Sequence, residues 1–157
     1  MANMDVYVNK GKSDVQDKLK AATDEVKRMG DEFKETKDGL SGMPGGLDSD
    51  IQSMIEQAKD QGKREAEADI EGVKSSTVAD AKSSADTIKS DVTQKISDNQ
   101  TAKGKMGAIN SKYGKSAIDT AITALDQNTQ KGNDLMQMLD EAMRDADQQI
   151  DSVKGSL

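Results

Sequence analysis

The sequence predicts an all-α protein, an elongated antiparallel helical hairpin or three-helix bundle with coiled-coil-like seams and one very long central helix. Three observations lead there. Apolar residues recur at steps of three and four over most of the chain, two glycine-bearing stretches interrupt that recurrence, and large apolar side chains are too few to fill a globular core. Leu, Ile, Val and Phe number 25 of 157 residues, with 2 Tyr and no Trp. Such a chain reads as a single helical domain, residues 1–157, whose helices bury narrow stripes against one another.

Helix 1 is expected at about residues 13–38, with earlier turns left open. Val8, Val15, Ala22 and Met29 recur every seven residues, interleaved with Leu19, Val26, Phe33 and Leu40, so the apolar face alternates 4-3-4-3-4 from Val15 to Phe33. Ser13 and Gln16 have the spacing of a capping box, in which each side chain satisfies an unpaired amide of the first turn. Residues 39–47 then hold four glycines and the chain's one proline, which ends the helix. Within this turn Leu40, Met43 and Leu47 alternate with Gly42, Gly45 and Gly46, a composition that suits an ordered apolar turn better than a Gly/Ser linker.

Helix 2 is expected at about 49–98, capped by Asp48 or Ser49 with Asp50 in the favourable first turn. Its stripe runs Ile51, Ile55, Ala58, Gly62, Ala66, Ile70, Val73, Thr77, Ala81, Ala85, Ile88, Val92 and Ile96 in repeated 4-3-4-4 steps. That repeat is slower than 3.6 and favours a straight or slightly right-handed path, as a rod of ~70 Å at 1.5 Å per residue. Its small residues let a neighbouring helix approach closely but bury little area. Residues 99–115 are expected to form a basic, glycine-bearing loop. Helix 3 follows at about 116–153, where Ile118, Ile122, Leu125, Thr129, Gly132, Met136, Leu139, Met143, Ala146, Ile150 and Val153 step 4-3 throughout, with Gly132 the weak point. Short loops make neighbouring helices antiparallel. Seams this thin leave the monomer marginal at ~25 cal/mol per Å² buried, so a partner or self-association would stabilise it.

Composition narrows function. With no Cys and no His there is no thiol nucleophile, no Ser-His system, no usual haem or zinc site and no group that titrates near neutrality, so neither an enzyme nor a cofactor is expected. Acidic pairs such as Asp145 and Asp147 fall on different helix faces and do not converge on a proton or a metal. Gly114-Lys115-Ser116 lacks the earlier glycine of a phosphate loop, since Ile109 stands there. The net charge is −7, from 22 basic and 29 acidic residues. Only residues 99–115 are basic, with Lys103, Lys105, Lys112 and Lys115 and no acid, which is too little for a nucleic-acid footprint. No run is long and apolar enough to span a membrane. The N-terminus lacks a cleavable signal, so any export from the cytoplasm would use a route that reads none.

The turn and its flanks carry a resemblance. A heptad-bearing first helix, Leu40-Ser41-Gly42, then Met43-Pro44-Gly45-Gly46 and the Ile51-x-x-x-Ile55 start are similar to the hairpin turn of the WXG and LXG families of bacterial type VII (ESX) secretion. The resemblance spans at most residues 8–60 and, in helix 3, 114–151. It implies two antiparallel helices joined by a Trp-x-Gly or Leu-x-Gly turn, pairing with a second hairpin and exported folded, with Leu40 and Gly42 at the turn positions. The chain departs from that pattern in having no tryptophan and no Tyr-x-x-x-Asp/Glu signal after Tyr113, whose fourth following residue is Ala117.

The leading expectation is a non-enzymatic helical interaction protein, a small secreted partner or a targeting factor of such a system. Val15, Leu19, Val26, Met29, Phe33, Leu125, Met136, Leu139, Met143 and Ile150 would form its packing and partner seam, against a helical effector or a second copy as a homodimer. The competing expectation is a late-embryogenesis-abundant-like protective chain, disordered when free, on the strength of the Ala-, Lys-, Asp-, Ser- and Thr-rich stretch 58–95. A membrane-active helical toxin ranks last, for want of an apolar tongue or a basic amphipathic face.

Overall fold

The structure is a computed structural model that describes residues 3–43 and 48–157. It is all-α, with three helices and, among the described residues, no strand. Helix α1 covers residues 5–41 as Asp5–Lys10, a π-helical turn Gly11–Gln16 and Asp17–Ser41. Helix α2 covers residues 49–107 as Ser49–Val73, a second π-helical turn Lys74–Val78 and Ala79–Gly107, and α3 is Lys115–Ser156. The residues cluster into two compact units. Unit 1 gathers the chain up to Asp17 with Ala81–Ala142, and unit 2 gathers Lys18–Asp80 with Met143–Leu157. Each helix contributes a segment to each unit.

In unit 1 the segments of α2 and α3 run antiparallel. Lys89 pairs with Asp140 at 2.7 Å, Thr93 donates to the Met136 sulfur at 3.6 Å, the Asn99 amide donates to Thr129 Oγ1 at 3.3 Å, and Lys103 pairs with Asp126 at 2.8 Å. The start of α1 runs parallel to α3: the Met4 amide donates to Asn128 Oδ1 at 3.2 Å, and Asp5 meets Lys131 at 3.3 Å. The core holds Met4, Val15, Ala81, Ala85, Ile88, Val92, Leu125, Leu135 and Leu139. In unit 2 the order repeats. Lys74 pairs with Asp151 at 3.4 Å and Lys154 with Glu71, setting α2 against α3, while Leu19, Ala22, Val26, Phe33, Ile70, Val73, Ala146 and Ile150 fill the interior.

Small residues sit where the helices meet. A Cβ on Gly11 would lie 2.9 Å from Leu135 Cδ1, and one on Gly132 would lie 2.9 Å from Met4 Cε, 3.0 Å from Val92 Cγ1 and 3.2 Å from Ile96 Cδ1. In unit 2 a Cβ on Gly30 would lie 2.6 Å from Val153 Cγ1, and one on Gly62 would lie 3.2 Å from Phe33 Cε2. Gly132, expected as a weak point, is therefore a contact site: the helical propensity lost there is the condition for Met4, Val92 and Ile96 to reach the backbone of α3.

Several boundaries differ from expectation. Helix α1 begins at Asp5 because Met4 is fully buried and Asn3 Oδ1 accepts from the Asp5 amide at 3.1 Å. Ser13 consequently lies inside the helix, its hydroxyl donating to the Asn9 carbonyl at 3.1 Å, and forms no capping box with Gln16. Gly39, Leu40 and Ser41 are still helical, so α1 ends three residues later than expected. At the start of α2, Asp48 is the cap, its Oδ1 accepting from the Asp50 and Ile51 amides at 3.0 Å each. Asn99–Gly107, expected as loop, continues α2 because Asn99 is buried on the stripe, while Gly104 and Gly107 face open space. The connection shrinks to residues 108–114 and closes on Gly114 at φ 92, a left-handed conformation that glycine adopts without strain.

The π turns explain how the stripes keep facing inward. A turn closed from i to i+5 takes in one residue more than an α turn. In α1 it falls where the stripe steps by four twice in succession, Gly11, Val15, Leu19. In α2 it brings Val78 into the core at 1 % exposure and leaves the expected Thr77 half-buried. The Ser75 and Ser76 hydroxyls both donate to the Gly72 carbonyl there, at 3.2 and 2.7 Å, and so satisfy an oxygen at the entry to the wide turn.

Two glycines of unit 1 should respond oppositely to alanine. Gly132→Ala gains ~1 kcal/mol of helix propensity but overpacks a site where such insertions cost ~1–3 kcal/mol, so a net loss of about 1 kcal/mol is expected in urea unfolding. Gly104→Ala, with nothing within 4 Å, should gain ~0.5–1 kcal/mol.

The Glu71–Lys154 pair gives a pH signature. The hydrogen bond from Lys154, aided by its charge and by Lys74, holds the Glu71 carboxyl below its ordinary range, and the same bond raises Lys154. A lowered carboxyl adds stability that is present above its unfolded pKa and lost as pH falls through the folded value. The melting-temperature gap between the wild type and Glu71→Gln should therefore be open at neutral pH, close below the carboxylate range, and narrow in high salt because both side chains reach solvent.

Candidate functional site

The expected seam closes on the chain itself. Val15, Leu19, Val26, Phe33, Leu125, Leu139 and Ile150 are buried, and Met29, Met136 and Met143 are half-buried. Within each unit the buried members pack between segments of α1, α2 and α3, and the three methionines keep part of their surface open. On α3 the core position expected for Met136 belongs to Leu135, 3 % exposed, whose Cδ1 fits the bare backbone of Gly11. Both residues suit a 4-3 stripe, and the partner glycine decides between them. Met4, Gly11, Leu135 and Val78 are the core members that periodicity passed over.

Of the turn residues, Leu40 is half-buried on the last helical turn of α1 and Gly42 begins the turn, its amide donating to the Asp38 carbonyl at 2.9 Å. Gly45 and Gly46 lie outside the described residues. Beside this turn the protein exposes large apolar groups: Met43 at 48 %, Ile51 at 40 % and Met54 at 66 %. The expected stripe began at Ile51, yet Ile51 and Ala58 are exposed and Ile55 only half-buried. The cause is register. Glu71 of α2 stands opposite Lys154 of α3, so the residues of α2 well before Ile70 extend past the last turn of α3 and have α1 alone beside them.

Unit 1 has a matching two-helix end. Met4 packs opposite Gly132 and Val92, so α2 beyond Asn99 and α3 before Leu125 lack the cover of α1. There the connection exposes Ile109 at 55 % and Tyr113 at 84 %, with Lys112 Nζ 5.8 Å from the Tyr113 ring centroid and the Ser111 hydroxyl donating to the Tyr113 carbonyl. A surface groove beside it is lined by Lys112, Lys115, Ser116, Asp119 and Thr120 along the first turns of α3. Among the described residues no three acidic side chains gather as a metal site, no buried polar side-chain atom lacks a partner, and no helix is long and apolar enough to cross a membrane. What the arrangement offers chemically is contact surface: two apolar ends on helices whose interior is already filled.

Seam and surface should separate under mutation. Leu139→Ala removes a fully buried side chain and should lower stability by ~2–5 kcal/mol, whereas Met54→Ser should stay within ~0.5 kcal/mol of wild type in the same denaturation experiment. No protein family, no curated protein and no solved structure matches this chain.

Proposed function

We propose that the chain is a non-enzymatic helical interaction protein that docks on a helical partner through the exposed end beside the turn that Gly42 begins, as a small secreted partner or targeting factor of a bacterial type VII secretion system. The observation that carries the reading is the exposure of Met43, Ile51 and Met54 at the adjoining ends of α1 and α2. Unbranched methionines repack around varied apolar surfaces at little cost, which suits a docking face. Two neighbouring helix ends present the alternating knobs and gaps into which another amphipathic helix packs. The turn sequence supports the secretion setting by its similarity to Leu-x-Gly hairpins, and the filled interior supports passage as a folded unit.

The test is affinity capture from the producing bacterium with the wild-type chain and with Ile51→Ser plus Met54→Ser as baits. A helical secreted protein should be enriched by the wild type and reduced at least tenfold by the variant. The chain itself should be detected in the culture medium. Equal recovery by both baits, or no enriched protein, would refute the reading.

A further inference from the structure

The exposed large apolar side chains of the described residues are Val6, Met43, Ile51, Met54, Ile109 and Tyr113. All but Val6 fall in two stretches of opposite charge. Residues 38–58 carry Asp38, Asp48, Asp50 and Glu56 and no basic residue, while residues 99–115 carry Lys103, Lys105, Lys112 and Lys115 and no acidic one. All eight side chains are exposed. On the acidic stretch Asp48 also caps α2 and Glu56 meets Lys59 at 3.1 Å; on the basic one Lys103 meets Asp126 at 2.8 Å. The described residues of each stretch lie at a two-helix end of their own unit, where α3 or α1 no longer covers the other two helices.

We infer that the occupant of the acidic apolar end is the basic apolar end of a second copy of this chain: Met43, Ile51 and Met54 of one copy meet Ile109 and Tyr113 of another, ringed by Asp38, Asp50 and Glu56 against Lys105, Lys112 and Lys115. This rests on the reading of residues 38–58 as a docking surface and names its partner. The two ends complement one another in apolar surface and in charge. Apolar groups supply the contact area, and the charges of residues 38–58 and of residues 99–115 are of one sign within each stretch and opposite between the two, so contact between unlike ends is favoured over contact between like ends. Such a contact joins different patches on the two copies, so one pairing leaves an unlike end of each copy to be filled, and assembly grows or closes according to geometry. The attraction is strongly salt-dependent, because the Debye length falls from ~30 Å at 0.01 M to ~3 Å at 1 M.

The test is light-scattering mass of the full chain over a ~100-fold concentration range at low and high salt, with two charge-reversed variants. Variant one is K105E/K112E/K115E and variant two is D38K/D50K/E56K; helical circular dichroism verifies that each is folded. The wild-type mass should at least double with concentration at low salt and return to 16.8 kDa at high salt. Each variant alone should stay at the monomer mass, since its two ends now carry like charge. An equimolar mixture of the two should associate again, because the unaltered acidic end of variant one meets the unaltered basic end of variant two. A wild type that remains monomeric at low salt, association that persists in either variant alone, or a mixture that fails to associate would overturn the proposal. If association fails while Ile51→Ser plus Met54→Ser still loses a captured helical protein, the docking surface stands and only its occupant is wrong. If the wild type associates but captures nothing else, the secretion-partner reading fails and the self-contact stands.

Discussion

Close approach of helices at glycine is the constraint on which the rest of this structure depends. A chain with 25 large aliphatic or Phe residues cannot hold three helices apart and still fill the gap, so it draws them together where side chains are absent. Gly11 and Gly132 do this in unit 1, with Leu135, Met4 and Val92 seated against bare backbone, and Gly30 and Gly62 do it in unit 2 beneath Val153 and Phe33. Dispersion contacts in a tight interface replace some of the area that bulky side chains would have buried. The arrangement tolerates little change of volume at those four positions and a great deal elsewhere, as at Gly104, where a methyl group meets nothing.

Register then decides what is left uncovered. Inter-helix pairs such as Lys89 with Asp140 and Asn99 with Thr129 in unit 1, or Lys74 with Asp151 in unit 2, fix which turns face one another. Asn99 is the one buried polar side chain among the described core residues, and its bond to Thr129 is satisfied only in the observed register, the way a single polar core residue selects alignment in coiled coils. With the segments aligned in this way, two stretches of hairpin in each chain have only two helices. Apolar residues there keep the helical spacing of the seam but have no third helix to meet, and that is why Ile51 becomes surface.

Much of this was legible in the sequence, and the misreadings have physical causes. The 4-3 alternation of Val15, Leu19, Ala22, Val26 and Phe33 identified the buried face of α1 because periodicity reports which side of a helix is apolar. It does not report whether a neighbour is present, so Ile51 was expected in the core. Gly132 and Gly104 look alike as letters; one is a contact and the other is solvent-facing, and only the partner side chains tell them apart. Asn99–Gly107 resembles a loop by composition, yet a buried Asn99 and half-buried Met106 carry the helix through it. Ser13 and Gln16 match a capping box by spacing, but Met4 anchors the helix start upstream. The π turns leave only a faint trace, two successive steps of four, which is also what a slow right-handed drift would show.

The seams of α1, α2 and α3 close within one chain, and hydrogen exchange on a sample dilute enough to be monomeric tests this most directly. Amides around the glycine contacts, near Gly11, Gly30, Gly62 and Gly132, should exchange slowly and at the same rate at every concentration, with the turn at 42–43 and the connection at 108–114 exchanging fast. Protection of those seam amides that appears only as concentration rises would contradict it, since the helices would then be completing their cores with another molecule rather than with each other.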